Sequence, residues 1–235
     1  MSNIQTDSPE PFPERAALLF LSGQYALRYR DERDGLMIKL LAPEAVRSAF
    51  SRIPVDSGWL PPEVRRWGHS AHGEYAVMFV PAQKHLLRLT NTFGERFPGK
   101  RIVKIEVPLP AMVFAGLGNA YAVWACAEAP HPDAVGYQTP LPNVGGGAGI
   151  CFGDNHPPRA KPESIALAWK LFMSTPFNNH LIGGSSKAHP KDVREQLLAL
   201  ADSHADAYPV SDLVSCKHTI EEGIRRLLAD RGGAA

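Results

Sequence analysis

The chain has 235 residues, with 25 Lys and Arg against 24 Asp and Glu, a net charge of +1. That near-balance argues against a nucleic-acid binder, which gathers basic residues on one face. No run approaches the ~20 apolar residues needed to span a bilayer. The polar, proline-rich start (Met1 to Arg15) lacks the basic and apolar regions of a signal peptide, so a cytoplasmic location is expected. Cys126, Cys151 and Cys216 are odd in number, far apart and without a CxxC pair, which predicts neither disulfides nor a zinc site. Three free thiols follow, and one of them is a candidate for chemistry.

Residues 1–14 read as a flexible N-terminus, and a single domain is expected over 15–230. Residues 16–30 predict a hairpin around Ser22-Gly23-Gln24. Pro43 opens a short helix over about 43–52, with Ala45, Val46, Ala49 and Phe50 at helical spacing. This N-terminal extension, 15–55, precedes a core of about 56–215. Residues 54–73 hold Pro54, Gly58, Pro61, Pro62, Gly68 and Gly73, the chemistry of a loop. Strands are expected over Tyr75–Val80, His85–Leu89, Ile102–Val107, Met112–Phe114 and Ala120–Ala125, forming an antiparallel meander.

Beyond Cys151 the periodicity becomes helical. One helix follows Pro162, with Ile165, Trp169, Phe172 and Met173 on one face. A second starts near Pro190 with a Val193, Leu197, Leu200 stripe. A third, 219–230, opens on a Thr219/Glu222 capping box. Strands first and helices afterwards predict an α+β fold.

The segment YQTPLPNVGGGAGICFG (137–153) joins the two halves. Gly145, Gly146, Gly147 and Gly149 give a backbone free to adopt positive φ and to approach a ligand closely. No Lys-Ser or Lys-Thr follows, and the pattern is not a dinucleotide fingerprint, so no cofactor is expected. Asn143 stands eight residues before Cys151. A thiolate attacks thioesters and carbonyls with little activation, and acyl transfer then needs an oxyanion donor such as a carboxamide. Asn143 is equally a residue that closes Asx turns. Cys126 and Cys216 read as small buried hydrophobes. His180 is a candidate base for an attacking amine, with helix capping as its other reading. Asp154 and His156, just past Cys151, read as solvated loop, with depressing the pKa of the thiol or orienting a nucleophile as their other reading. Trp169 and Phe172 are core candidates, and Trp59 and Trp67 read as loop anchors or a partner patch. Arg231-Gly232-Gly233 reads as a frayed end.

Leu141-Pro142-Asn143-Val144 and Gly149-Ile150-Cys151 resemble the His-Pro-Asn to cysteine pattern of ubiquitin-conjugating enzymes, with Leu141 replacing the histidine and Ala148 the glycine three before the cysteine. Together with AWKLFMSTPFNNHLIGGSS and YPVSDLV, the text over roughly 55–215 is similar to the prokaryotic ubiquitin-conjugating-like family D, and in particular to its PRTRC system protein B group. The resemblance implies a ubiquitin-conjugating-like fold and a thioester to a ubiquitin-like protein on Cys151, with passage to an amine acceptor. It also implies a ThiF-like activating enzyme as partner, and Asn143 as oxyanion donor. An inactive binding protein of the same fold, or a cysteine hydrolase pairing the thiol with His156 or His180, are the other readings open at this point.

Overall fold

The computed structural model describes residues 16–31, 33, 35–46, 57–70, 72–90 and 96–229. The chain separates into two compact units, Met1–Asp56 and Ser57–Ala235. The expected lead-in, the far part of the 43–52 helix and the 231–233 tail lie outside the described residues. Residues 43–46 are helical.

In the first unit, β1 (Ala16–Leu21), β2 (Gln24–Arg30) and β3 (Leu36–Leu41) form an antiparallel sheet in that order. Gly23, at φ +76°, lets the two-residue turn of the expected hairpin close. The third strand, an almost wholly apolar LMIKLL, extends the sheet beyond the predicted pair.

The second unit carries β4 (Val64–Ser70), β5 (Gly73–Val80), β6 (Gln83–Thr90), β7 (Ile102–Leu109), β8 (Ala111–Leu117), β9 (Ala120–Cys126) and β10 (Val135–Gln138). Helices α1 (Ile165–Ser174) and α2 (Val193–Asp202) follow, then β11 (Ser215–Thr219) and helix α3 (Ile220–Ala229). The expected capping box is formed at α3: Thr219 N donates to Glu222 (2.9 Å) and Glu222 N to Thr219 Oγ1 (3.2 Å).

The simple meander is corrected. Six strands pair in the order β11-β10-β9-β8-β5-β4, while β6 and β7 leave this sheet as a separate two-stranded ribbon. Adjacent β5 and β8 are thus joined by an excursion rather than by a turn. The 54–73 loop is corrected too, since Val64–Ser70 is the edge strand of the sheet. An edge strand has one paired side, and its Arg65, Arg66 and His69 give it little apolar patterning.

Both faces of the sheet are covered, which explains the unbroken apolar runs of β8 and β9. Met112, Phe114, Tyr121 and Val123 face a core built with Leu87, Leu89, Ile165, Phe172 and Leu197. Their neighbours Val113, Ala115, Ala122 and Trp124 face the other way, onto Ile220 and Ile224 of α3. This is the two-residue alternation of a strand. Gly116 on β8 lies beneath the Tyr121 ring, where a Cβ would come within 2.4 Å of Tyr121 Cε1. Phe172 is buried as expected and Trp169 packs partly buried against the same core. Trp67 is anchored through its indole N–H to Glu74 (2.7 Å), whereas Trp59 is fully exposed and anchors nothing.

Candidate active site

The segment leading to the cysteine is pinned by Leu141, which is completely buried where the resemblance has a histidine. Two residues on, Asn143 adopts φ +63°, a left-handed conformation that asparagine tolerates better than most side chains. The chain then doubles back. Val144 and Ile150 form an antiparallel bridge, Gly145 N donates to Gly149 O (2.9 Å) and Ala148 N to Gly145 O (2.8 Å). At the base Cys151 N donates to Asn143 O (2.9 Å), so the eight-residue spacing is that of a closed β-hairpin with these two residues face to face.

The hairpin is docked on the core sheet. Ile150 N donates to Tyr121 O and Val123 N to Ala148 O, both at 2.9 Å, along the stretch of β9 that β10 leaves uncovered. The expectation for the glycines is half met. Positive φ falls on Asn143 and Ala148 (φ +67°) rather than on the glycines between 145 and 149. A Cβ at Gly146, Gly147 or Gly149 would meet nothing within 4 Å, so these residues leave bare, accessible backbone.

Cys151 is half-buried and opens on a cavity of about 340 Å³, which Asn143, Asp154, Asn155, Thr175 and Asn178 also line. Phe152, Phe172 and Phe177 give it an apolar wall. Phe152 meets Tyr121 and Phe172 edge-on, at 5.7 and 5.9 Å. Asn155 Nδ2 donates to Phe152 O (3.0 Å) and holds the turn after the cysteine. Among the described residues, the cavity lining contains one carboxylate, Asp154, and no Lys, Arg or His.

The turn at 177–180 closes the site from the opposite side. Phe177 is buried and tied to β6 by Phe177 N to Arg88 O and Thr90 N to Phe177 O, both 2.7 Å. From this anchor Asn178 and His180 reach Asn143. Asn143 Nδ2 donates to Asn178 Oδ1 (2.9 Å), Asn178 N to Asn143 Oδ1 (3.2 Å) and Asn143 N to His180 O (2.9 Å). Of the predicted residues, Cys151 and Asn143 are therefore together. His180 contributes its backbone, and its exposed imidazole does not line the cavity; neither does His156. Asn178 is the residue that sequence reasoning weighed beside His180, with a helix-end or turn residue as its plain reading, and whose place at the site it did not find. Its place in PFNNHL gave a signal only for a turn, and its partner lies 35 positions away.

The other thiols are quiet. Cys126 is 2% exposed, and burial pushes its thiol up to about 11. Cys216 lies in a separate, larger cleft along α3, of about 1070 Å³, and is likewise raised to about 11 by burial, partly offset by Arg226. No group of His, Cys, Asp and Glu among the described residues could hold a metal ion. None of their helices is long and apolar enough to cross a membrane.

Neither a curated protein nor a solved structure matches the chain. The family model described as prokaryotic E2 family D matches residues 37–216, which takes in the Asn143–Cys151 hairpin, the cavity and the 177–180 turn. The chain belongs to prokaryotic E2 family D.

Proposed function

We propose that this protein accepts the C-terminus of a ubiquitin-like protein as a thioester on Cys151, delivered by a ThiF-like activating enzyme, and passes it to an amine. The observation that carries the reading is the pairing of Cys151 with Asn143 at the base of one hairpin, both opening on the same cavity. Membership of an E2 family supports a ubiquitin-like protein and an activating enzyme as its partners. The ubiquitin-conjugating-like arrangement of the second unit and the PRTRC system protein B grouping belong to the same proposal, supported by LPNV, GIC and FNNHL.

In the transfer step the amine nitrogen attacks the thioester carbonyl and a C–N bond forms. The C–Sγ bond then breaks and Cys151 leaves as thiolate. The negative charge that builds on the carbonyl oxygen meets a carboxamide donor from Asn143. The amine proton passes to Asp154 or to water, Asp154 being the carboxylate of the lining. A wall of carboxylate and carboxamides without a cation among the described residues suits an incoming amine. A hydrolase would pair the thiol with an imidazole, and no histidine lines this cavity among the described residues.

The test mixes the protein with a ThiF-like activating enzyme, ATP and the matching ubiquitin-like protein. A thiol-sensitive adduct should form, vanish in Cys151→Ala and persist as an ester in Cys151→Ser. An adduct indifferent to Cys151 but lost with Cys126 or Cys216 refutes the assignment, and absence of any adduct leaves the binding-protein reading.

A further inference from the structure

Asn143 can donate to an oxyanion only if its carboxamide presents nitrogen, not oxygen, to the reacting carbonyl. Two backbone amides decide which way it lies, because a backbone N–H can only donate. Asn178 N faces one end of the Asn143 side chain (3.2 Å), so that end is Oδ1. His180 N faces the Asn178 side chain (2.9 Å), so the atom there is Asn178 Oδ1. That same oxygen is the one that accepts from Asn143 Nδ2, at 2.9 Å. Both amides are thus fixed, and among the described residues Asn143 keeps one of its two Nδ2 hydrogens uncommitted. Acceptance at its Oδ1 also polarises the amide, strengthening the donor that is left.

We infer that Asn178 is a positioning residue for acyl transfer: its carboxamide oxygen holds the Asn143 amide so that one N–H stays available to the oxyanion. The inference rests on the donor reading of Asn143. Asn178 Nδ2 makes no hydrogen bond among the described residues, so the part of Asn178 that matters is its oxygen. The anchor is rigid, because neighbouring Phe177 is tied on both sides to β6.

The protein alone supplies the assay. Cys151 is acetylated with p-nitrophenyl acetate, and transfer of the acetyl group to n-butylamine, a mimic of a lysine side chain, is followed by intact mass. Iodoacetamide alkylation of the same thiol is measured in parallel, because that displacement builds no oxyanion. Asn178→Ala should slow aminolysis roughly tenfold, the loss expected for one hydrogen bond, while alkylation stays within about twofold of the parent. Asn178→Asp keeps the accepting oxygen and should bring aminolysis back to within about threefold on the same scale. The double variant with Asn143→Ala should be no slower than Asn143→Ala alone. If Asn178→Ala matches the parent while Asn143→Ala is slow, the positioning role is overturned and the donor reading survives. If Asn143→Ala itself matches the parent, the donor reading falls and takes this inference with it. Equal losses in aminolysis and alkylation would make the pair a brace of the loop and refute positioning.

Discussion

Gly116→Ala tests how the core sheet holds the Asn143–Cys151 hairpin. A methyl group there would stand 2.4 Å from Tyr121 Cε1 and 2.7 Å from the Ala160 Cβ. Neither neighbour is a flexible tip. The Tyr121 ring stacks on Phe114 with centroids 5.1 Å apart, and its hydroxyl donates to Pro158 O (2.7 Å). Ala160 is buried, with its N–H bonded to Gly118 O at 2.6 Å. Overpacking of this kind costs about 1–3 kcal/mol. Removing a strand glycine returns about 0.5–1 kcal/mol, so a net loss of about 1–2 kcal/mol is expected. At roughly 2–4 °C per kcal/mol for a domain of this size, the melting temperature should fall by about 2–8 °C. Tyr121 O also receives the Ile150 N–H and the ring touches Phe152, so displacement of Tyr121 reaches both neighbours of Cys151. Differential scanning fluorimetry gives the stability, and iodoacetamide labelling should show Cys151 alkylated at a changed rate. In a Tyr121→Ala background the penalty should shrink to the part that the Ala160 Cβ, 2.7 Å away, still imposes. A Gly116→Ala protein as stable as the parent, or a loss undiminished in Tyr121→Ala, would refute the close-approach argument.

Asn143→Gly keeps the left-handed backbone and Asn143→Ala does not. Aminolysis of acetyl-Cys151 should fall about 10²–10³-fold in both, with Ala alone costing a further ~1 kcal/mol of stability; full activity in Gly would show that the amide is not needed. Asp154→Asn should slow aminolysis about 10²-fold without slowing alkylation, and parallel loss of both would remove the proton-acceptor role. Burial holds the Cys126 thiol at about 11, so the folded state keeps a proton that the unfolded chain gives up from about 9. Stability should therefore decline between pH 9 and 11, a slope that Cys126→Ala should lessen in urea titrations while the share from Cys216, raised likewise, remains. With Cys126 and Cys216 both raised to about 11, alkylation near pH 8 should mark Cys151 first by peptide mapping; prior labelling of either other thiol would contradict this.

The helices could be read from the sequence because their information is local: α1 and α2 from a stripe at helical spacing, α3 from Thr219 and Glu222 three residues apart. Strands β5 to β9 were equally visible as apolar runs. Their partners were not, because pairing β5 with β8 across the β6–β7 ribbon depends on contacts remote in sequence. Strand β4 was hidden by its arginines and flanking prolines, β10 by being four residues long, and β11 by the polar SCKHT. At the site, the Asn143-to-Cys151 spacing carried the proposed chemistry, while the hairpin that explains the spacing did not show. The clamp by Asn178 was invisible because it joins the two halves of the chain. His180 looked like a base from its residue type, and its backbone turned out to be the part in contact with Asn143.

The closed hairpin has a consequence for how this family's sequences vary. Asn143 and Cys151 are partners across a ladder, so adding or removing one residue between them would shift the register and turn a side chain to the opposite face. Length is the quantity that the geometry fixes there, and composition is free at the tip, since side chains at positions 146, 147 and 149 would project into open space. Insertions and deletions should therefore be purged from this nine-residue stretch, while substitutions at its tip accumulate and vary the surface beside the cysteine.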